Sequence, residues 1–273
     1  MEALTKLFMD PYDRPARLTP ALLTLAPIPI LIVCLFGKAQ VIGTTILSIA
    51  TYCGAGYALA RVARNAGKRM QDRLFERWGG APTTQLLRHR NNHFDAHTKA
   101  RFHGVLSTGI SKPMPTAAEE ASNPAAADEL YRAATMWLIG QTRDTKKFPL
   151  VFKENVAFGF HRNAVGMRWY GVTIAVVCMV IGLFSTKILT ASPPYFSLAQ
   201  ITDVGAVGTL SLAISAAMLF AWLFLWNEPA AKQAGFSYAE RLFQSCDHLN
   251  KPAPARAPRK KKPPAGPIGP ANP

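Results

Sequence analysis

Four long stretches of this chain contain no charged residue, and they constrain its fold more than any other feature. They cover residues 19–37, 41–60, 169–186 and 205–226, and none contains Asp, Glu, Lys, Arg or His. Each is close to the ~20 residues with which a helix crosses ~30 Å of hydrocarbon. A core helix of a soluble protein keeps a polar face. The sequence therefore predicts four transmembrane helices arranged as two hairpins.

Positive charge is distributed unevenly around these stretches and predicts their orientation. The chain has 31 Lys and Arg residues against 16 Asp and Glu, and 29 of the 31 lie in residues 1–18, 61–168 and 227–273. The turns at 38–40 and 187–204 hold one each. By the positive-inside rule, we expect an inner-membrane protein with both termini and the middle segment in the cytoplasm.

Hydropathy and charge together divide the chain into six parts, and no stretch shows the alternating pattern of a strand. The overall prediction is an all-α integral membrane protein with a helical cytoplasmic domain inserted between the second and third spans. The predicted parts are a cytoplasmic N-terminus (1–18), a first hairpin (19–60), the helical domain (61–168), a second hairpin (169–226), an amphipathic segment (227–249) and a disordered Pro- and Lys-rich tail (250–273).

Local signals place the helices of the middle segment. The second span is expected to continue as a helix until Gly79–Gly80, and apolar spacing predicts one amphipathic helix over 87–105. Residues 116–119 (TAAE) fit a capping box, and Asn123–Pro124 fits a cap followed by proline at the first helical position. A further helix is expected over 124–141.

Residues 88–103 (RHRNNHFDAHTKARFH) are the most chemically loaded stretch of the chain. On one helix, His89, His93 and His97 would fall along one flank. Three interpretations are open: a metal site, a site for an anion such as a nucleotide, phosphate or lipid headgroup, and a solvated basic face. Metal is disfavoured because three histidines on one straight helix cannot easily reach one tetrahedral ion. The candidate anion-binding or ligand-binding residues are Arg88, Arg90, Lys99 and Arg101.

Two stripes of small residues run along the second and fourth predicted spans. Small residues at every fourth position let helix backbones approach closely in lipid. Such stripes serve packing inside one four-helix bundle or between subunits, and the sequence leaves both open; we expect a homo-oligomer. The predicted helix-packing residues are Ala50, Gly54, Ala58, Ala213, Ala217 and Ala221.

The tail carries a basic cluster in a segment too rich in proline to fold. Close to an anionic bilayer, each such charge is worth about 1 kcal/mol. We therefore expect contact with anionic lipids, with nucleic acid as the other polyanion within reach. The charge of residues 61–168 does not indicate specific nucleic-acid binding. The residues of this membrane-surface cluster are Arg256, Arg259, Lys260, Lys261 and Lys262.

Catalytic motifs are not evident in the sequence. There is no nucleophile elbow, phosphate loop, dinucleotide fingerprint or His-Glu-x-x-His helix. The predicted spans also lack the ionisable residues on which ion-coupled transporters depend. Pro27 and Pro29 predict a kink or a local break in the first span. We name no catalytic residue, and expect no metal and no cofactor.

Three segments carry a resemblance: residues 74–91 (LFERWGGAPTTQLLRHRN), 98–103 (TKARFH) and 142–163 (TRDTKKFPLVFKENVAFGFHRN). They are similar to uncharacterised bacterial multi-pass membrane proteins associated with anti-phage and other conflict gene clusters. The resemblance implies a membrane effector with a cytosolic sensing part. Together with the charge-free spans, the small-residue stripes and the basic stretch, it leads us to expect an oligomeric membrane effector or channel-like protein, controlled by a cytosolic helical domain that receives a signal, a protein partner or a nucleotide. The alternatives are a non-catalytic membrane scaffold or accessory subunit, and a lipid-acting enzyme at the membrane surface.

Overall fold

The computed structural model describes residues 9–36, 41–197 and 200–249. Within these ranges the regular structure is helical, apart from one isolated bridge between Leu189 and Phe196. The all-α prediction is confirmed. In chain order the helices are α1 (Arg14–Phe36), α2 (Val41–Trp78), α3 (Pro82–Leu87), α4 (Ala96–Ile110), α5 (Ala117–Ser122), α6 (Pro124–Gln141), α7 (Pro149–Ser185), α8 (Gln200–Asp203), α9 (Ala206–Leu225), α10 (Glu228–Gln244) and α11 (Cys246–Leu249).

Three of these helices, α1, α7 and α9, are long and apolar enough to cross a membrane. They contain most of the first, third and fourth predicted spans. The second predicted span, residues 41–60, forms the first half of α2, where several side chains between 41 and 53 lie outside the described part of the structure. Three apolar helices thus indicate membrane association, and a fourth span over residues 41–60 stays a prediction.

Helix α1 has a local break where the sequence predicts one. Its α-helical hydrogen bonding is interrupted at Ala26, between a segment that ends at Leu25 and one that begins at Pro27. The N–H of Ala26 donates to the carbonyl of Leu23 at 3.3 Å, which is the spacing of a tighter turn. Pro27 has no N–H to continue the regular pattern.

Helices α2 and α7 are much longer than a membrane is thick. They have 38 and 37 residues, or about 57 and 56 Å at 1.5 Å per residue. The hydrocarbon core of a bilayer is only ~30 Å thick. The residues from Pro149 up to the third apolar stretch are continuous with that stretch in the single helix α7. Both helices therefore continue well past one side of the apolar region.

The polar parts of the chain meet in one helical head, built from α3 to α6, the start of α7, α10 and α11. Residues 227–249, predicted as a separate amphipathic segment, contribute to the same core as the middle segment, so the head draws on two distant parts of the sequence. The buried core residues of the head are Leu86, Leu87, Phe102, Leu106, Ala127, Tyr131, Ala134, Leu138, Phe148, Val151, Ala239, Leu242, Phe243 and Cys246.

Helices α2 and α7 cross at close range below the head. A Cβ added to Gly166 would lie 2.7 Å from the backbone carbon of Ala66 and from the backbone nitrogen of Gly67. At the same level the fully buried Asn163 donates from Nδ2 to the carbonyl of Ala16, at 2.6 Å. Small residues thus allow α2 and α7 to meet backbone to backbone, and the Asn163 side chain joins them to α1.

Candidate functional site

The candidate basic stretch does not form one helix. Helix α3 ends at Leu87, residues 88–95 form a loop, and α4 begins at Ala96. Asp95 caps α4, because its side chain accepts from the N–H of Thr98 at 2.9 Å. The prediction of a single helix over 87–105 is therefore wrong, and so is the histidine flank that depended on it. Asparagine and aspartate bond locally to the backbone and so favour turns and caps over helix interiors.

Arg88 is fixed inside the head by three hydrogen bonds that its guanidinium donates. Its Nε and Nη2 donate to the two carboxylate oxygens of Asp128 at 2.9 and 2.6 Å, and Nη1 donates to the carbonyl of Gly79 at 2.8 Å. The hydrogen bonding that Arg88 donates to Asp128 is the main reason that the pKa of Arg88 is raised. Gly80 has a φ of +127°, and a Cβ there would come 2.9 Å from Nη2 of Arg88. Glycine at this turn leaves the room that the guanidinium needs.

Lys99 is a buried cation, with only 6% of its surface exposed. Its ammonium donates to the carbonyls of Arg88 at 2.9 Å and His89 at 3.2 Å, and also to the carbonyl of Asn91. Burial lowers its pKa. Lys99 therefore fastens the 88–95 loop to α4 through three backbone groups.

Glu120 is the buried anion of the same region, and its surface is 4% exposed. Its Oε2 accepts from the backbone N–H of His89 and from the hydroxyl of Tyr131, both at 2.7 Å, and Nε of Arg90 lies 3.9 Å from Oε1. Burial pushes the pKa of Glu120 upward, but these donors outweigh it and leave the pKa below its usual value. The pKa of Tyr131 is raised by burial and by its bond to Glu120.

The histidines contact different partners. Nε2 of His103 donates to the carbonyl of Leu87 at 2.8 Å, and Nε2 of His89 lies 2.8 Å from the carbonyl of Pro115. Burial lowers the pKa of His103. No three His, Cys, Asp or Glu side chains are grouped as a metal site across residues 9–36, 41–197 and 200–249.

These contacts form one ion network, defined here by Arg88, Lys99, His103, Glu120, Asp128 and Tyr131. Its charged groups bond within the protein, so the network joins the 88–95 loop to α4, α5 and α6. The network holds the 88–95 loop in one position. The N–H donors of Arg88 and Lys99 already bond to acceptors within the protein.

The four predicted anion-binding cations are thus divided between two settings. Arg88 and Lys99 are inside the network, whereas the side chain of Arg90 is 58% exposed. Arg101 is at the surface and pairs with Asp247 at 3.0 Å. Anion binding by all four stays a prediction, and Arg90 is the member whose charge remains most accessible.

The helix-packing residues lie mostly on the outside of the single chain. Gly54 and Ala58 on α2 and Ala213 and Ala217 on α9 are exposed, while Ala221 is buried. The side chain of Ala50 lies outside the described residues, and so does the basic cluster at 256–262. The exposed members are available for contact with lipid or with another subunit.

A polar contact that sequence reasoning missed joins the head to the end of α2. Glu228, in the first turn of α10, accepts from Nε1 of Trp78 and from Nη1 of Arg77, each at 3.0 Å. Because α10 follows α9 almost directly, this carboxylate ties α2 to the end of the last apolar helix. The contact is called the Glu228 clasp below.

No protein-family model, curated protein or solved structure matches this chain. The resemblance to bacterial conflict-associated membrane proteins stays a prediction.

Proposed function

We propose that this protein is an oligomeric inner-membrane effector with four spans, whose head receives a cytosolic signal or partner and changes membrane permeability through the spans. The observation that carries the proposal is the continuity of α7. Val151 of this helix lies in the head core, and the same helix continues to Ser185 through the third apolar stretch. A displacement at the head would therefore be transmitted along one rigid element.

Two further connections support mechanical coupling. Helix α2 runs without interruption from the second predicted span to Trp78, where the Glu228 clasp holds it. Helix α9 connects to α10 through Trp226 and Asn227, and the side chain of Asn227 caps α10 by accepting from the N–H of Ala230 at 3.0 Å. Three spans are thus joined to the head by short or continuous connections.

Aromatic residues support a membrane boundary at the base of the head. Trp169 and Tyr170 are 69% and 48% exposed, and they stand where the third apolar stretch begins. Trp and Tyr are enriched at membrane–water interfaces. Together with the excess of Lys and Arg beyond this level, their position supports a cytoplasmic head.

Exposed small residues support the oligomeric part of the proposal. The stripes on α2 and α9 lack large side chains, and a Cβ added to Gly54 would meet no atom within 4 Å. Membrane helices associate through such small-residue surfaces. A second copy of the chain could therefore approach α2 closely.

The test is the membrane potential of bacteria expressing the full chain or matched variants. We expect depolarisation and dye entry for the natural chain, and a changed response for Glu228→Ala, which breaks the clasp. Glu129→Ala is the control, because Glu129 is exposed and makes no ion pair within the described residues. An intact potential under every inducing condition would refute the effector, and a fixed partner without which no phenotype appears would favour the scaffold.

A further inference from the structure

A cavity of about 310 Å³ lies where the head meets the long helices. Its wall is formed by α2, α6, α7, α10 and the turn that leads into α3, and it is mainly apolar. The volume is about ten times the ~30 Å³ that one water occupies in the liquid. It falls at the lower end of the range of small-molecule sites.

Three aromatic rings form one wall of this junction cavity. Phe158 of α7 is parallel to Phe75 of α2 and to Tyr238 of α10, with ring centroids 6.4 Å apart in both pairs and interplanar angles of 5° and 3°. Beside them Gly235 leaves space, because an added Cβ would come within 3.1 Å of the Phe158 ring. Such a wall favours a flat or extended apolar body over a strongly hydrated one.

Two polar residues of α6 also line the cavity. Thr135 lines the cavity with 5% of its surface exposed, and its buried hydroxyl has no hydrogen-bond partner among the described residues. A buried hydroxyl without a partner costs free energy that a bound ligand can recover. Arg132, one turn earlier on α6, also lines the cavity; it is solvent-exposed and makes no ion pair within the described part of the chain.

We propose that the junction cavity binds an amphipathic monoanion, namely a medium-chain carboxylic acid with its apolar chain along the ring wall. The carboxylate pairs with Arg132 and accepts from the hydroxyl of Thr135. Apolar walls with a few converging polar groups are the usual composition of small-molecule sites. The inference goes beyond the proposed function, since binding at this cavity requires no change in permeability.

The test uses the full chain in lipid nanodiscs and a ten-carbon carboxylic acid bearing an aliphatic diazirine. After illumination, mass spectrometry locates the label, and unlabelled decanoate competes for the site. We expect saturable labelling of the cavity walls on α6, α7 and α10. Met136→Trp should abolish it by filling the cavity, and it should fold normally because Met136 is 67% exposed.

Two polar variants and one control test the assignment of the charge. Arg132→Gln should weaken binding about tenfold, because hydrogen bonds to charged groups are the strong ones. Thr135→Val should weaken it by a smaller factor, and Lys112→Gln, which removes an exposed cation elsewhere on the head, should leave it unchanged. Circular dichroism confirms that each variant is folded.

Opposite results would overturn the proposal. Labelling spread along the chain, or unaffected by Met136→Trp, would show that the cavity is not the site. Equal binding of the matching ten-carbon alcohol, with no effect of Arg132→Gln, would refute an anionic ligand. Neither readout involves membrane potential, so failure here is distinct from failure of the effector hypothesis.

Discussion

Single charged residues inside the head have structural roles that their residue types alone would not indicate. Lys99 would ordinarily be a surface residue, yet its ammonium bonds to three backbone carbonyls of a loop that has no regular structure. The carboxylate of Glu120 likewise accepts hydrogen bonds from a backbone N–H and from a tyrosine hydroxyl. Buried charges are tolerated only when they are paired or fully hydrogen-bonded, so loss of one group leaves its partners unsatisfied.

Lys99→Met should therefore destabilise the head by about 2–4 kcal/mol, because three carbonyls lose their donor while the apolar stem is kept. Hydrogen exchange of residues 88–95, measured by mass spectrometry in nanodiscs, should become faster. Lys112→Met at the exposed surface should change stability by no more than about 0.5 kcal/mol. Equal exchange in the two variants would show that Lys99 does not hold the loop.

The buried titratable groups predict a loss of head stability in acid. His103 has its pKa lowered by burial from an ordinary 6.5, so its contribution is present above that pH and is lost as the pH falls below it. His103→Gln keeps a donor for the carbonyl of Leu87 and should remove this step. Denaturant titrations of the two proteins between pH 7.5 and pH 5 check the prediction, which fails if their stability curves stay parallel.

Glu120 predicts a second, more acidic step. Its pKa is lowered from an ordinary 4.5, so its stabilising contribution is complete above that value and is lost as the pH falls through the folded-state pKa. Glu120→Gln should flatten the stability profile below pH 4.5. An unchanged acid limb in this variant would mean that Glu120 is not the group responsible.

Whole helices are positioned by glycine and alanine as much as by large side chains. At the crossing of α2 and α7 the backbones approach so closely that Gly166 has no room for a methyl group. Farther along α2, Gly54 faces open space. The same residue type therefore has opposite roles at two positions, and a matched pair of substitutions separates them.

Gly166→Ala should destabilise the helical assembly by about 1–3 kcal/mol, because the atoms it meets are backbone and cannot turn away. Gly54→Ala should be neutral or stabilising by up to about 1 kcal/mol, since alanine is the better helix former. Thermal unfolding in detergent measures both. The close crossing would be in doubt if the two variants melted at the same temperature.

At the scale of the whole molecule, the head is assembled from two separate segments of the chain and is connected to the apolar helices. Residues 82–151 and 228–249 share one core, although the third and fourth apolar stretches separate them in sequence. In the proposed topology, both therefore lie on the same side of the membrane. The positive-inside rule predicts that this side is the cytoplasm.

Cysteine labelling of whole cells tests this topology. With the four natural cysteines replaced by serine, Ser192→Cys in the loop between α7 and α9 should react with an impermeant maleimide. Lys112→Cys in the head should react only after the inner membrane is permeabilised. The reverse pattern would overturn the orientation.

Much of the architecture could be predicted from the sequence because the signals were local. Charge-free stretches indicated apolar helices, and α1, α7 and α9 confirm three of them. The capping box of Thr116 with Glu119 and the cap at Asn123 are present as expected. Each of these features depends on residues within about one helical turn or one continuous stretch, and therefore needs no knowledge of partners.

The remaining features depend on partners distant in the sequence. Arg88 and Asp128 are 40 residues apart, and the Glu228 clasp spans about 150. The basic residues around Lys99 predicted an exposed, ligand-binding side chain. Only the packing of the helices shows that Lys99 is buried. Hydropathy and short-range capping by themselves determined which segments are apolar and where several of the helices begin. Tertiary structure decided which charges are buried and where a cavity remains, because burial and pairing depend on helices that meet only after folding.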